Sequence, residues 1–179
     1  MQKRIRNLSR LVMLATTLAA ASWAQAGTAT ATIGLSATVT SNCTITTTPV
    51  GFGAYDPILG ADITAEGSVT VACTRNANGL WVGLNTGANA VGEVRNLIGA
   101  VSTDKLAYSI KQPSSDAPGA ACPAYSSGTA WSSTSGTALQ LTIPSTKAAR
   151  TYKVCGQIAK GQDMSVDSYS DTVTASINF

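Results

Sequence analysis

Four cysteines, Cys43, Cys73, Cys122 and Cys155, are the side chains of this sequence best suited to chemistry. Their even number, with no CxxC pair, reads as two disulfides formed in an oxidising compartment. Three connectivities are open. Joining each cysteine to the next along the chain gives Cys43–Cys73 and Cys122–Cys155, the pairing expected here, and closing loops of that size contributes about 3–4 kcal/mol each in the chain-entropy model. The sequence has no histidine, which removes imidazole dyads and triads, His-containing zinc sites and His-ligated haem. No nucleophile motif stands out in the strand-to-turn setting such motifs need, and no carboxylate cluster suggests a metal. The chemistry expected of these residues is cross-linking, with no catalysis, no cofactor and no metal.

The compartment is indicated at the other end of the chain. Lys3, Arg4, Arg6 and Arg10 form a basic region, residues 11–21 are apolar, and Ala24-Gln25-Ala26 offers a signal-peptidase site. The apolar run is short for a bilayer span, so residues 1–26 read as a cleaved signal peptide rather than an anchor. Cleavage leaves 153 of the 179 residues and removes four of the 12 cationic side chains, so that eight face nine carboxylates. The basic balance belongs to the leader, and a role on nucleic acid or an anionic membrane loses its electrostatic ground.

The elements that must position the cysteines read as strands. Charged residues are 12% of the chain, and Thr, Ser, Ala, Gly and Val dominate, a composition that suits pleated sheets and tight turns. Residues 28–40 alternate without a break: Ala29, Ala31, Ile33, Leu35, Ala37 and Val39 fall on one face, with threonines, Gly34 and Ser36 on the other. Such a period of two makes a long strand with one side buried. Further extended segments are expected at 44–48, 67–73, 80–84, 105–111, 139–143 (Leu139, Leu141 and Ile143 inward), around Tyr152 and Val154, and over 169–179. Asp171 interrupts the apolar face of that last run. Residues 51–57 read as an irregular corner packed by Phe52 and Tyr55, and 112–136 as a long loop tied down by Cys122. Trp81, Trp131 and Tyr125 are expected in the core rather than at a surface site. With no repeat or linker, the mature chain is one all-β sandwich domain.

These residues resemble a known family. Cys43 with Phe52-Gly53-Ala54-Tyr55-Asp56-Pro57, then Gly67-Ser68-Val69-Thr70-Val71-Ala72-Cys73-Thr74, are similar to the opening of a spore coat U domain. Leu106-Ala107-Tyr108-Ser109-Ile110 and Ile158-Ala159-Lys160-Gly161-Gln162 resemble its middle blocks, and residues 169–179 its closing block. One departure is that Val154-Cys155-Gly156-Gln157 stands where the family commonly has an aromatic-Gly pair. The family includes subunits of archaic chaperone–usher (Csu-type) pili. The resemblance therefore implies an incomplete immunoglobulin-like β-sandwich, residues 43–179, completed by a donor strand from another subunit. The implied partners are like pilin subunits in a head-to-tail polymer, a periplasmic chaperone and an outer-membrane usher, and the implied destination is the cell surface, in adhesion and biofilm formation. It also implies that Val173, Ala175, Ile177 and Phe179 on the last strand dock the chaperone, whose cations would hold the Phe179 carboxylate.

The physics of edges points the same way. A sandwich lacking an edge strand leaves unpaired N–H and C=O groups beside an apolar cleft, which invites strand addition. Residues 27–42 hold an uncharged, proline-free candidate donor strand, with Ala29, Ala31, Ile33, Leu35, Ala37 and Val39 as its inward set. Alternation by itself does not say whose sheet receives it. Strand A of its own domain therefore remains open, as do a self-completed coat or matrix protein and a minor or tip-proximal adhesive subunit.

Overall fold

The structure, a computed structural model, describes residues 26–58 and 60–179, so the expected signal peptide lies outside the described residues except for Ala26. The chain divides into two units, Met1–Ala37 and Thr38–Phe179. In the first, residues 26–37 form no regular element and all are exposed. The alternation of residues 28–40 predicts a strand, yet none forms in the single chain, because an extended backbone holds only where a ladder satisfies its N–H and C=O groups.

The second unit is all strand, turn and loop among the described residues. Its elements are β1 (Cys43–Thr48), β2 (Ile63–Cys73), β3 (Trp81–Leu84), β4 (Arg95–Gly99), β5 (Lys105–Lys111), β6 (Leu139–Gln140), β7 (Arg150–Ile158), β8 (Tyr169–Ser170) and β9 (Ala175–Asn178). They form a six-stranded sheet, β1-β2-β7-β5-β4-β8, and a three-stranded sheet, β6-β3-β9, with antiparallel pairing throughout. Alternation decides which residues face inward. Val69 and Val71 of β2, Leu106, Tyr108 and Ile110 of β5, and Tyr152, Val154 and Ile158 of β7 pack in one cluster with Val82 and Leu84 of β3 and Leu139 of β6. Both sheets thus share one core, the arrangement of an immunoglobulin-like sandwich.

Cys43 is bonded to Cys73 and Cys122 to Cys155. The first bridge joins paired positions of β1 and β2. The second ties the 112–130 loop to β7, and the loop's two ends are pinned by Gln112 N donating to Thr129 O and Trp131 N to Ile110 O.

Four expectations change. Residues 169–179 are two short strands in different sheets rather than one run, because Asp171 turns the chain from one sheet to the other. Ile143, expected to face inward, is 60% exposed; β6 ends at Gln140, Leu141 N bonds back to Leu80 O, and the chain then bends so that Pro144 is buried in its place. Of the three aromatics assigned to the core, Trp131 is fully buried with Nε1 donating to Val82 O at 2.8 Å, while Trp81 and Tyr125 are only half-buried. Trp81 sits on the face of β3 opposite Val82, and Tyr125 lies in the long loop. Finally, β4 was not foreseen: Arg95 and Asn96 are buried polar residues beside Leu97, so no apolar alternation marks it.

Candidate functional site: an open apolar groove

β1 ends one sheet and β9 the other, and each has a ladder partner on one side only among the described residues. The space between these free edges is a cleft of about 290 Å³ lined by Thr47, Thr48, Val50 and Phe52 on one wall and Asp171, Val173 and Ala175 on the other, with Leu84, Tyr108, Ile110 and Val154 among the residues beneath. A second cleft, about 640 Å³, continues it between Val50, Phe52, Tyr55 and Pro57 and Met164, Val166, Tyr169 and Asp171. Val50, Phe52, Leu97 and Asp171 belong to both. The two clefts are therefore one groove whose walls run in opposite chain directions, 47–57 against 175–164.

The groove exposes part of the core. Val50, Phe52, Tyr55, Leu97, Met164, Tyr169, Val173, Ala175 and Ile177 pack against the buried cluster yet stay only half-covered. Among the expected last-strand positions, Ala175 and Ile177 lie on β9, Val173 precedes it and Phe179, 55% exposed, follows it. Phe52 reaches the floor because β7 carries glycine there: a Cβ on Gly156 would come within 2.7 Å of Phe52 Cζ and of Val50 Cγ1. The Phe52 ring then meets Tyr108 at a centroid distance of 6.0 Å, tilted.

One polar cluster fixes the far wall. The Tyr108 hydroxyl donates to Asp171 Oδ2 at 2.6 Å, and Asn89 donates to Asp171 Oδ1 through its backbone N and its Nδ2, both at 3.0 Å. Burial, and then the hydrogen bond to Asp171, push the Tyr108 phenol above its ordinary range. Gly87, at φ +93°, passes so close that a Cβ there would strike the Asp171 carboxylate. Behind this pair Arg95 is 8% exposed, and its Nη2 donates to Leu84 O, Asn85 O and Trp131 O at 3.2, 2.6 and 2.8 Å. Burial lowers the Arg95 pKa, while the nearby Tyr108 and Asp171 work against that shift. Asp171 was legible as an interruption of an apolar face. Arg95 and Leu97 left no such signal, since neither sits in a periodic run.

The proposed donor side chains are bare: Ile33, Leu35 and Val39 are 84%, 92% and 83% exposed. No group of three or more potential metal ligands occurs among the described residues, and the groove offers shape and apolar surface instead of reactive groups. No helix among those residues is long and apolar enough to cross a membrane.

The Spore Coat Protein U domain model matches residues 29–176, starting inside the alternating segment. Protein U of Myxococcus xanthus is 32% identical over 197 aligned residues that cover 98% of each chain. A solved chain, described as part of the crystal structure of the CsuC–CsuE chaperone–tip adhesion subunit pre-assembly complex from archaic chaperone–usher Csu pili of Acinetobacter baumannii, superposes with a TM-score of 0.47 at 25% identity. The match covers 79% of this chain and 40% of that one. From its ordered sequence blocks, the family model's match over residues 29–176 and a relative 32% identical across nearly the whole of both chains, the chain belongs to the Spore Coat Protein U domain family.

Proposed function

We propose that the chain is a structural subunit of a surface pilus, assembled head to tail by seating residues 28–40 of one copy in the groove of the next. The observation that carries this reading is the coexistence of a groove between two free sheet edges with an exposed, strictly alternating segment whose apolar face suits it. Extended at about 3.3 Å per residue, residues 28–40 reach roughly 40 Å, comparable to the wall traced by 164–175. Burying Ile33, Leu35 and Val39 contributes about 1.5–3 kcal/mol each, and a ladder of about ten residues adds about 1 kcal/mol per bond. Even after the cost of association, that is a tight, non-closing contact.

The rest of the pathway follows from the same groove. An open apolar cleft is an aggregation hazard, so a periplasmic chaperone covers it, pairing along the free edge of β9 beside Val173, Ala175, Ile177 and Phe179, until an outer-membrane usher exchanges it for a subunit's donor strand. The leader sequence and two disulfides fit export through the periplasm to the cell surface, where the fibre serves adhesion and biofilm formation. The protein is not an enzyme in this reading: its work is mechanical.

Size-exclusion chromatography and unboiled gel electrophoresis of the mature chain test it. Full-length protein should give SDS-resistant ladders that a chain lacking residues 28–40 does not, while that truncated chain still binds the chaperone. A single monomer band from both would overturn it. The family description, a spore coat protein, supports a second reading as a coat protein; if such a protein folded residues 28–40 into its own groove, it would give a monomer band.

A further inference from the structure

The two ends of the sandwich differ in charge, and the difference bears on how copies stack. At one end Arg75 and Lys147 line a single cleft with Asn42, Cys43 and Thr146. Both cations are exposed, and neither takes part in an ion pair among the described residues. Arg150 belongs to the same end, opposite Val71 in the ladder, with its Nη1 donating to Thr142 O at 2.7 Å. One carboxylate side chain, Asp116, lies toward this end, in the loop whose Gly119 N donates to Thr151 O.

The opposite end, one β2 length or about 35 Å away, is knitted from three loops that carry aspartates. Asp62 accepts from Lys160 N at 3.0 Å, Asp104 from Ser165 N at 3.1 Å, and Asp167 from Val101 N and Ser102 N, both at 2.8 Å. Asp56 and Asp163 lie in the same loops, and Asp163 is exposed, with no hydrogen bond or ion pair among the described residues. Five carboxylates there face two cations, Lys105 and Lys160.

The groove opens at this acidic end, between Pro57 and Val166. The chain leading back to residues 28–40 leaves the fold at Asn42, in the basic cleft. We infer that the basic end of one copy docks on the acidic end of the next, and that this match sets the direction in which the donor strand lies. The inference rests on the donor-strand reading above. A strand anchored at a basic end and entering from the acidic end runs antiparallel to β9, with Val39 toward Met164 and Ala29 toward Ala175. The reverse direction would press Arg75 and Lys147 of one copy against the same pair of its neighbour, a like-charge contact that electrostatic complementarity selects against.

The test is the rate of SDS-resistant ladder formation by the full mature chain. Raising salt from about 50 to about 500 mM should slow it about tenfold, because steering between exposed charges is screened. R75E/K147E should slow it by a similar factor at low salt, and adding D163K to that variant, which relieves part of the new like-charge repulsion, should recover part of the rate. D163K alone, a change at the other end of the fold, should be slow as well, which separates charge from misfolding. Wild-type ladders that ignore salt and both variants would overturn the charge match and leave donor-strand exchange standing. No ladder from the wild-type chain would overturn the donor-strand reading itself, and this inference with it.

Discussion

Arg95 shows how a single residue answers a problem created by the topology. β3 ends at Leu84, and the carbonyls of Leu84, Asn85 and Trp131 receive the Arg95 guanidinium in the interior. A buried cation is costly unless it is hydrogen-bonded and balanced; here three carbonyls bond its Nη2 and the Asp171 carboxylate lies nearby, while its Nε is buried without a hydrogen-bond partner among the described residues. Tyr152 is the contrasting case. It is fully buried, and its hydroxyl, the one polar atom of the side chain, has no hydrogen-bond partner among the described residues. Such an orphaned hydroxyl carries its desolvation cost uncompensated, so Tyr152→Phe should raise stability by about 1 kcal/mol in urea unfolding. A loss of similar size would show that the hydroxyl is bonded in solution. Neither role was legible in the sequence: Tyr152 reads simply as an inward position, and Arg95 stands in no periodic run.

At the scale of elements, the sequence pattern worked where one strand face is buried and the other wet. β5 alternates as expected, with Leu106, Tyr108 and Ile110 inward. It failed where polar groups hold the chain, as at β4 and at the break between β8 and β9, because periodicity registers apolar burial and is blind to hydrogen-bonded anchors. The turn between β4 and β5 depends on such an anchor. Asp167 accepts from the backbone of Ser102 and Val101, and those bonds hold its pKa down to about 2. A carboxylate depressed in the folded state contributes stability above its unfolded pKa of about 3.9, and that contribution is lost as pH falls through the folded value. The turn should therefore loosen between about pH 4 and pH 2, read as faster amide exchange at Val101 and Ser102. Asp167→Asn should abolish that pH dependence in the window. An unchanged profile in Asp167→Asn would place the titration elsewhere.

For the whole molecule, the donor-strand proposal means that stability is incomplete until a strand fills the groove. A synthetic peptide of residues 28–40 added to the chain lacking those residues should raise its melting temperature, with about 2.7 kcal/mol of stabilisation at a hundredfold excess over Kd. A peptide with Ile33→Asp should be inert, since it asks the groove to bury a charge without a partner. Equal shifts from both peptides would mean that binding lies outside the groove. The disulfides belong to this scale too. Cys43–Cys73 closes the basic end where the chain leaves the sandwich, and Cys122–Cys155 fastens the longest loop to β7.

By itself the sequence determined the class of structure: an all-β chain with paired cysteines, no histidine and one segment whose alternation demands a sheet. Those properties are local in composition or have a period of two, so they survive without knowledge of partners. Tertiary structure decided which edges are left open, that Val50 and Phe52 cross the core over Gly156, that Asp171 and Arg95 brace the groove's far wall, and that the charges sort to opposite ends. Each of these depends on residues far apart in the chain being brought together by strand order, which the pattern along any one strand does not encode.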